Sequence, residues 1–323
     1  MAQTQSQSQS QTPARVVAPQ HSMSDAPATP AARIRKQQTF LDRFRRHRSG
    51  MIGATILVVV VVVALLVQTG LLINHDPTLA TPQSRFARPM AAASPPVEGT
   101  YILGTDNLGR DVYSRVIKGS QVSLLVGLGV SLATVLVGTL IGMLAGYFKR
   151  LDSPLMRVMD SMMAFPGVIL ALAIMSVRGP SVENVILALS IVYTPRFARV
   201  VRSVVLTIRE LQYIEAAHAL GIGNARIMLR HILPNCLSPM IVQSTFVFAE
   251  AVLGEAGLSF LGVGTPPEIP SWGQMLGDAR NFLAQAPWTM VAPGAALMVT
   301  VFGLNTLGDG IRDILDPRLR RDA

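Results

Sequence analysis

Cysteine, lysine and charged residues are all scarce in this chain. Cys236 is the only cysteine among 323 residues, which excludes an intramolecular disulfide and a metal site built from several cysteines. The five histidines lie in different segments without metal-ligand spacing, so we predict no metal site. None of the three lysines follows a glycine, so the chain has no Gly-Lys-Ser/Thr phosphate loop. It therefore cannot carry its own ATPase of that class.

What the chain has instead is hydrophobic sequence. Half of its residues are hydrophobic and only 15% are charged, a composition too apolar for an ordinary soluble domain. Its length allows several membrane spans of about 20 residues each. We therefore predict an all-α membrane protein with six transmembrane helices.

The net charge of +9 is concentrated near the start of the chain. Residues 1–50 are polar, Pro/Ala-rich and then basic, which predicts a disordered cytoplasmic tail whose basic part contacts membrane lipid. Nucleic acid is not an expected partner, because no aromatic-interleaved basic fold accompanies the charge. The basic cluster places the start of the first span, residues 51–73, on the cytoplasmic side, so residues 74–118 form an external loop.

Five further spans are predicted to build a core over residues 119–311, with a basic cytoplasmic tail at 312–323. Gly138, Gly142 and Gly146 recur every four residues and predict close helix packing. Basic residues at the loops on one side place both termini in the cytoplasm. The predicted spans are 121–147, 155–177, 185–206, 237–263 and 289–307.

Three acidic residues lie inside these predicted spans, namely Asp160, Glu250 and Glu255. A carboxylate in lipid is costly, so each should face the bundle interior or a water-filled path. They are therefore candidates for a translocation path. For Glu250 and Glu255 a structural role as hydrogen-bonded groups near the outer end is the alternative.

Arginines at positions 196, 199 and 202 share one face near the end of the fourth span. Side chains so placed can extend to the cytoplasmic interface, which is our interpretation in preference to a voltage sensor.

Two external segments also carry expectations. Trp272 and Trp288 flank a Pro-rich loop and are predicted to lie at the membrane interface. Asp106, Asn107 and Asp111 are clustered oxygen donors, but their spacing does not match a calcium-binding EF-hand loop.

Residues 208–235 interrupt the hydrophobic sequence with charged and polar residues, which predicts a water-facing helix-turn-helix, here called the knob. A first helix is expected over 209–220 and a second over 224–234. Gly221 and Gly223 are expected to end the first helix with positive φ.

The knob resembles the EAA loop of bacterial ABC importer permeases, the segment that docks on the ATPase subunit. Arg230–Asn235 resembles the version found in the dipeptide, oligopeptide and nickel branch, although His231 stands where the general pattern has Ile. The segment Leu103–Arg115 resembles the entry to the core of the same permeases. The residues that carry the EAA resemblance are Glu215, Ala216, Ala217, Gly221, Leu233 and Pro234.

This resemblance implies a type I ABC importer permease fold with a cytoplasmic coupling loop. It implies a bacterial inner-membrane protein that is not an enzyme and binds no cofactor, with ATP and Mg held by two partner ATPase subunits. The other implied partners are a second homologous permease, forming a heterodimer, and a periplasmic substrate-binding protein.

Peptides are the expected substrate, with nickel or glutathione as alternatives inside the family. Outside it, the alternative is a secondary transporter driven by an ion gradient, in which Asp160, Glu250 and Glu255 would bind protons or cations.

Overall fold

The computed structural model describes residues 44, 45, 47–93, 95 and 99–315. Most of the predicted N-terminal tail and all of the chain after Leu315 lie outside the described residues.

Helices account for nearly all of the regular structure in the described residues. A two-residue antiparallel pair, β1 (Ala91–Ala92) with β2 (Thr100–Tyr101), is the small exception. The helices are α1 (Arg48–Leu66), α2 (Val112–Tyr147), α3 (Lys149–Met163), α4 (Gly167–Arg178), α5 (Val182–Arg209), α6 (Gln212–Ala219), α7 (Asn224–Ile227), α8 (Leu233–Phe260), α9 (Trp272–Ala279) and α10 (Trp288–Leu315). The predicted all-α membrane class is confirmed.

Five helical segments within the described part of the chain are long and apolar enough to cross a membrane. They correspond to α1, α2, α5, the run from α7 through α8, and α10. A sixth crossing exists only if the bent pair of α3 and α4 counts as one span.

The third predicted span, 155–177, is formed by two helices. α3 and α4 meet at 88° across a short break that contains Phe165 and Pro166. Proline lacks the backbone N–H of a helix interior and disfavours helical geometry in the residue before it. The twelve residues of α4 reach only about 18 Å, well short of a 30 Å hydrocarbon core.

Two other helices are longer than predicted. α2 begins at Val112 because Asp111 caps it, with the Asp111 side chain accepting a hydrogen bond from the Ser114 N–H at 3.2 Å. The external loop is correspondingly shorter than 74–118. α10 continues to Leu315, so the start of the predicted tail at 312 is helical.

The glycines of α2 bring it close to α5, as their spacing predicted. A Cβ on Gly142 would lie 2.5 Å from the carbonyl oxygen of Ala198, and one on Gly146 would lie 2.7 Å from Cβ of Val205. Neither position has room for a side chain unless the helices separate. This contact makes α2 and α5 the rigid centre of the bundle, and α8 packs beside them.

α1 packs against α10 by a similar close approach. A Cβ on Gly53 would lie 2.4 Å from the backbone nitrogen of Leu307. On the other side of α1 the side chains are exposed and apolar, with Val58, Val59 and Leu65 each more than half exposed.

One of the two tryptophans, Trp272, corrects the predicted position at the membrane interface. Trp272 is only 2% exposed, and its Nε1 donates to the Val116 carbonyl at 2.9 Å, so it packs α9 onto α2 and is not an interfacial anchor. Trp288 is partly buried, and its Nε1 donates to the Thr105 carbonyl at 3.1 Å. An indole N–H that is removed from water needs such a partner.

The clustered oxygen donors of the external segment are used within the fold. Oδ2 of Asp106 accepts from Arg110 Nε at 2.7 Å, and its Oδ1 accepts from the backbone N–H of Leu108 and Arg110. Arg110 also pairs with Asp278, which lies on α9; Nη2 of Arg110 is 3.2 Å from Oδ2 of Asp278. These bonds fasten the external segment to α9.

Candidate functional site

The first half of the knob has the predicted form of a helix followed by a turn. α6 ends at Ala219, and Gly221 adopts a φ of +73°, which confirms the expected left-handed turn there. The turn is closed by hydrogen bonds from Ile222 N to Ala217 O and from Gly221 N to His218 O, at 3.1 and 2.9 Å. Gly223 differs from the expectation, because its φ is −63° and it serves as the N-cap of α7.

The second half of the knob is not a separate helix, contrary to the expectation for 224–234. α7 continues through a π-helical turn, Met228–Ile232, directly into the long α8. Leu233 and Pro234 form the first turn of α8. The knob and the membrane span beyond it are therefore one continuous helical rod.

The residues that carry the family resemblance do not all face outward. Glu215, Ala216 and Gly221 are exposed, and Pro234 is exposed at the start of α8. Ala217 is only 6% exposed and belongs to the hydrophobic core. Its small side chain instead lets α6 pack closely on the bundle.

The core beneath α6 is formed by isoleucines that flank the turn, and Leu220 projects away from it. Ile214, Ile227 and Ile232 are at most 1% exposed, whereas Leu220 is 80% exposed. An apolar side chain that protrudes next to exposed Ala216 and Gly221 is typical of a contact surface for another protein.

Two hydrogen bonds hold the knob against the end of α2. The Tyr147 hydroxyl donates to Oδ1 of Asn224 at 2.9 Å, and Arg209 Nη1 donates to the Gly146 carbonyl at 2.7 Å. The end of α2 and the knob therefore lie on the same side of the bundle.

A second feature consists of ion pairs along α5. Sequence analysis assigned its three arginines to the membrane interface but did not identify their partners, which are 39 to 54 residues away in the chain. The pairs are Arg196 with Glu250 at 2.7 Å, Arg199 with Asp160 at 2.6 Å, and Arg202 with Asp152 at 2.5 Å. Two of the three acids are predicted path residues.

These pairs differ in how much of them is enclosed. Arg202 donates two parallel hydrogen bonds to Asp152, and both side chains are about three-quarters buried. By contrast, the side chain of Arg196 is 60% exposed and makes a single bond to Glu250 among the described residues. The first pair fastens α3 to α5, and the second remains open on one side.

The arginine of the open pair lies near the middle of α5. Arg196 is the fifteenth of the 28 residues of α5, about 20 Å from either end at 1.5 Å per residue. Towards the end of α5 the same exposed side continues with Arg199, Ser203 and Thr207. We call these four side chains, together with Asp160 and Glu250, the polar face.

Glu255, the third predicted path residue, lies elsewhere. It is completely buried, and its carboxylate accepts hydrogen bonds from Ser259 at 2.7 Å and from Ser123 at 3.4 Å. Ser259 in turn contacts Thr265 at 3.2 Å. This arrangement matches the structural alternative for Glu255, with the carboxylate enclosed among hydroxyl groups of α2 and α8.

A bundle of five long apolar helices and one bent helix pair, with a protruding knob continuous with one of the long helices, is typical of a polytopic transport permease. The chain belongs to the family described as binding-protein-dependent transport system inner membrane component, which matches residues 138–321. Residues 37–96 match the N-terminal TM domain of oligopeptide transport permease C.

Curated relatives cover most of the chain. It is 44% identical to a putative peptide transport system permease protein of Brucella abortus over 87% of this chain and 92% of the relative. It is 39% identical to a dipeptide transport system permease protein of Alkalihalophilus pseudofirmus, over 86% and 88% of the two chains. A glutathione transport system permease protein of Pectobacterium atrosepticum is 41% identical over 68% and 73%.

The protein is therefore the transmembrane permease subunit of an ABC importer with the type I permease fold, and it is not an enzyme. ATP hydrolysis belongs to a separate subunit of such an importer. Membership of this family favours the importer over the ion-gradient-driven transporter that the intramembrane acids left open.

Proposed function

We propose that this permease imports peptides across the bacterial inner membrane, as one half of a heterodimer with a second homologous permease. A periplasmic binding protein delivers the peptide, and two ATPase subunits hold ATP and Mg. Support for peptides comes from the relatives that are named for peptide and dipeptide transport. The basic residues before α1 support cytoplasmic termini.

The observation that carries the proposed path is the polar face. Placing one arginine at the centre of a helix in lipid costs about 2.5–3.5 kcal/mol on insertion scales. Arg196 lies at the middle of α5 with 60% of its side chain exposed, so lipid is an unfavourable neighbour for it. We assign this side of the chain to a water-containing path shared with the second permease, with Asp160 and Glu250 among its lining groups.

In the proposed coupling step, the ATPase binds the exposed surface of α6 around Glu215 and Ala216. The left-handed turn at Gly221 fixes the angle between α6 and α7. Because α7 continues into α8, a displacement of the knob is transmitted along the rod to Glu250, past Leu233 and Pro234. ATP-driven closure of the two ATPases would thereby move one wall of the path.

Cysteine cross-linking tests the knob as the docking element. In a Cys236→Ser background, single cysteines replace the exposed Ala216 or Ala219, and the control cysteine replaces Leu253, which is exposed on the far half of α8. Adducts with the ATPase that depend on ATP are expected at the first two positions and not at the control. An inserted protein without adducts at either α6 position would refute the proposed docking.

Uptake tests the substrate. Proteoliposomes that contain the complete complex and the binding protein should accumulate labelled dipeptide only when ATP is supplied. Accumulation of glutathione without dipeptide would move the assignment to the glutathione branch, and accumulation that an uncoupler abolishes in the presence of ATP would contradict the importer mechanism.

A further inference from the structure

The Arg196–Glu250 pair has unused hydrogen-bonding capacity. Within the described residues, the guanidinium uses one of its five N–H donors, and the Glu250 carboxylate uses one of its two oxygens. Their side chains are 60% and 36% exposed. The pair is therefore accessible from one side, and its remaining donors and acceptors point to no described partner.

The backbone that carries the pair is firmly held. The Tyr193 hydroxyl donates to the main-chain carbonyl of Glu250 at 3.0 Å, one turn of α5 before Arg196. A Cβ on Gly254 would lie 2.8 Å from the same hydroxyl, so α5 and α8 are closely apposed at this point. Both charges thus project from a close crossing of two helices, with partly exposed side chains.

We propose that this pair is a transient binding site for the charged ends of a peptide. This inference rests on the proposed peptide function and specifies the group that is recognised. The peptide carboxylate takes the open donors of Arg196, and the peptide ammonium takes Glu250. Arginine binds carboxylates through two parallel hydrogen bonds, a geometry that the single bond to Glu250 leaves unused.

The exchange preserves charge balance at every stage. Before binding, Arg196 and Glu250 neutralise each other, and a zwitterionic peptide carries one charge of each sign. After exchange, each protein charge faces one peptide charge, so no ion is left unpaired at this depth, where an unpaired ion is costly. Because free termini are common to all peptides, such a site accepts many side chains.

The neighbouring Arg202–Asp152 pair shows what a structural pair on the same helix looks like. It forms a two-bond fork and is about three-quarters buried, so its donors already face a carboxylate. Arg202→Gln is therefore the matched control for Arg196→Gln: both variants remove one guanidinium from α5.

Photolabelling of the assembled complex tests the site directly. The probe is a dipeptide with a diazirine side chain, used at millimolar concentration. The binding protein is left out, so that its selectivity does not affect labelling. It is prepared with free ends, as the N-acetyl derivative and as the C-terminal amide, and the labelled residues are mapped by mass spectrometry.

The free-ended probe is expected to label α5 and α8 beside Arg196 and Glu250. Blocking the carboxylate should reduce labelling at least tenfold, and Arg196→Gln should reduce labelling by the free-ended probe to a similar extent. Arg196→Lys keeps the charge without the planar fork and should give an intermediate loss in a protein that still folds. Arg202→Gln should label within twofold of the unchanged protein.

Equal labelling by free and blocked probes, labelling elsewhere only, or no labelling would each overturn the proposal. Failure of the proposed function would be distinct, because the unchanged complex with its binding protein would then accumulate no dipeptide in the uptake assay.

Discussion

The exposed sides of α1 and α5 differ in chemistry. Along α1, Val58 and Val59 are 60% and 56% exposed and are followed by further valine and leucine side chains. Along α5, Arg196 is equally exposed and is followed towards the knob by Arg199, Ser203 and Thr207. Exposure alone therefore does not identify what surrounds a membrane helix.

The difference assigns the two sides to different surroundings. Valine side chains gain from contact with lipid tails, whereas a guanidinium there is costly. We therefore propose that the outer side of α1 is the lipid boundary and that the polar face meets water, the solute or the proposed partner permease.

The largest effect is expected when a charge is placed on the exposed side of α1. Val58→Arg should raise the free energy of membrane insertion by about 2.5–3.5 kcal/mol, because the side chain is at mid-helix and faces lipid. The measurement is the fraction of chain that resists alkaline extraction from membranes. Val58→Leu is the control and should insert normally; equal insertion of both variants would contradict a lipid boundary at α1.

The Arg202–Asp152 and Arg199–Asp160 pairs should differ in their contribution to stability. Asp152→Asn should lower the stability of the purified complex by about 1.5–3 kcal/mol, since it weakens a largely buried, two-bond pair with Arg202. Asp160→Asn should change stability by only about 0–1 kcal/mol, because its pair with Arg199 is about half exposed. Thermal unfolding measures both changes.

The uptake rates of the same two variants should rank in the opposite order to their losses of stability. Asp160→Asn is expected to reduce the uptake rate per folded complex, because Asp160 belongs to the polar face. Asp152→Asn should retain the rate of whatever complex remains folded. The reverse pattern would show that the exposed pair is structural.

A further change, local to one turn, is expected at the knob. Gly221→Asp introduces a side chain into open space at a φ of +73°, so the cost is backbone strain of about 1–2 kcal/mol without a clash. We expect weaker ATPase docking and less coupled uptake, whereas the polar face stays intact. Gly221→Asn, which has similar shape without the charge, should keep more activity; full ATP-driven uptake by the Asp variant would contradict the coupling role.

Patterns local in sequence predicted much of this structure. The four-residue repeat of Gly142 and its neighbours predicted the α2–α5 contact, because helix periodicity places such residues on one side. The positive φ at Gly221 followed from a glycine at the end of a helical segment. The family resemblance of the knob and of Leu103–Arg115 led to the family that the comparisons show.

Features that depend on distant residues were missed. Nothing in the spacing of Arg196 indicates that its partner is Glu250, 54 residues later, because that contact exists only when α5 and α8 cross. The same limit explains Ala217, whose burial depends on isoleucines of the next helix. Phe165-Pro166 indicated a break in the third span, but the 88° angle between α3 and α4 depends on how both helices pack in the bundle.

The most direct test of the central claim is water accessibility along the two helices. In a Cys236→Ser background, single cysteines replace Ser203 or Thr207 on α5 and Val58 or Val62 on α1, and the assembled complex is treated with a charged thiol reagent. We expect the cysteines at both α5 positions to react, at a rate that changes when ATP is bound, and the cysteines at the α1 positions to remain unreacted. Unreactive cysteines on α5, or equal reaction on α1, would contradict it.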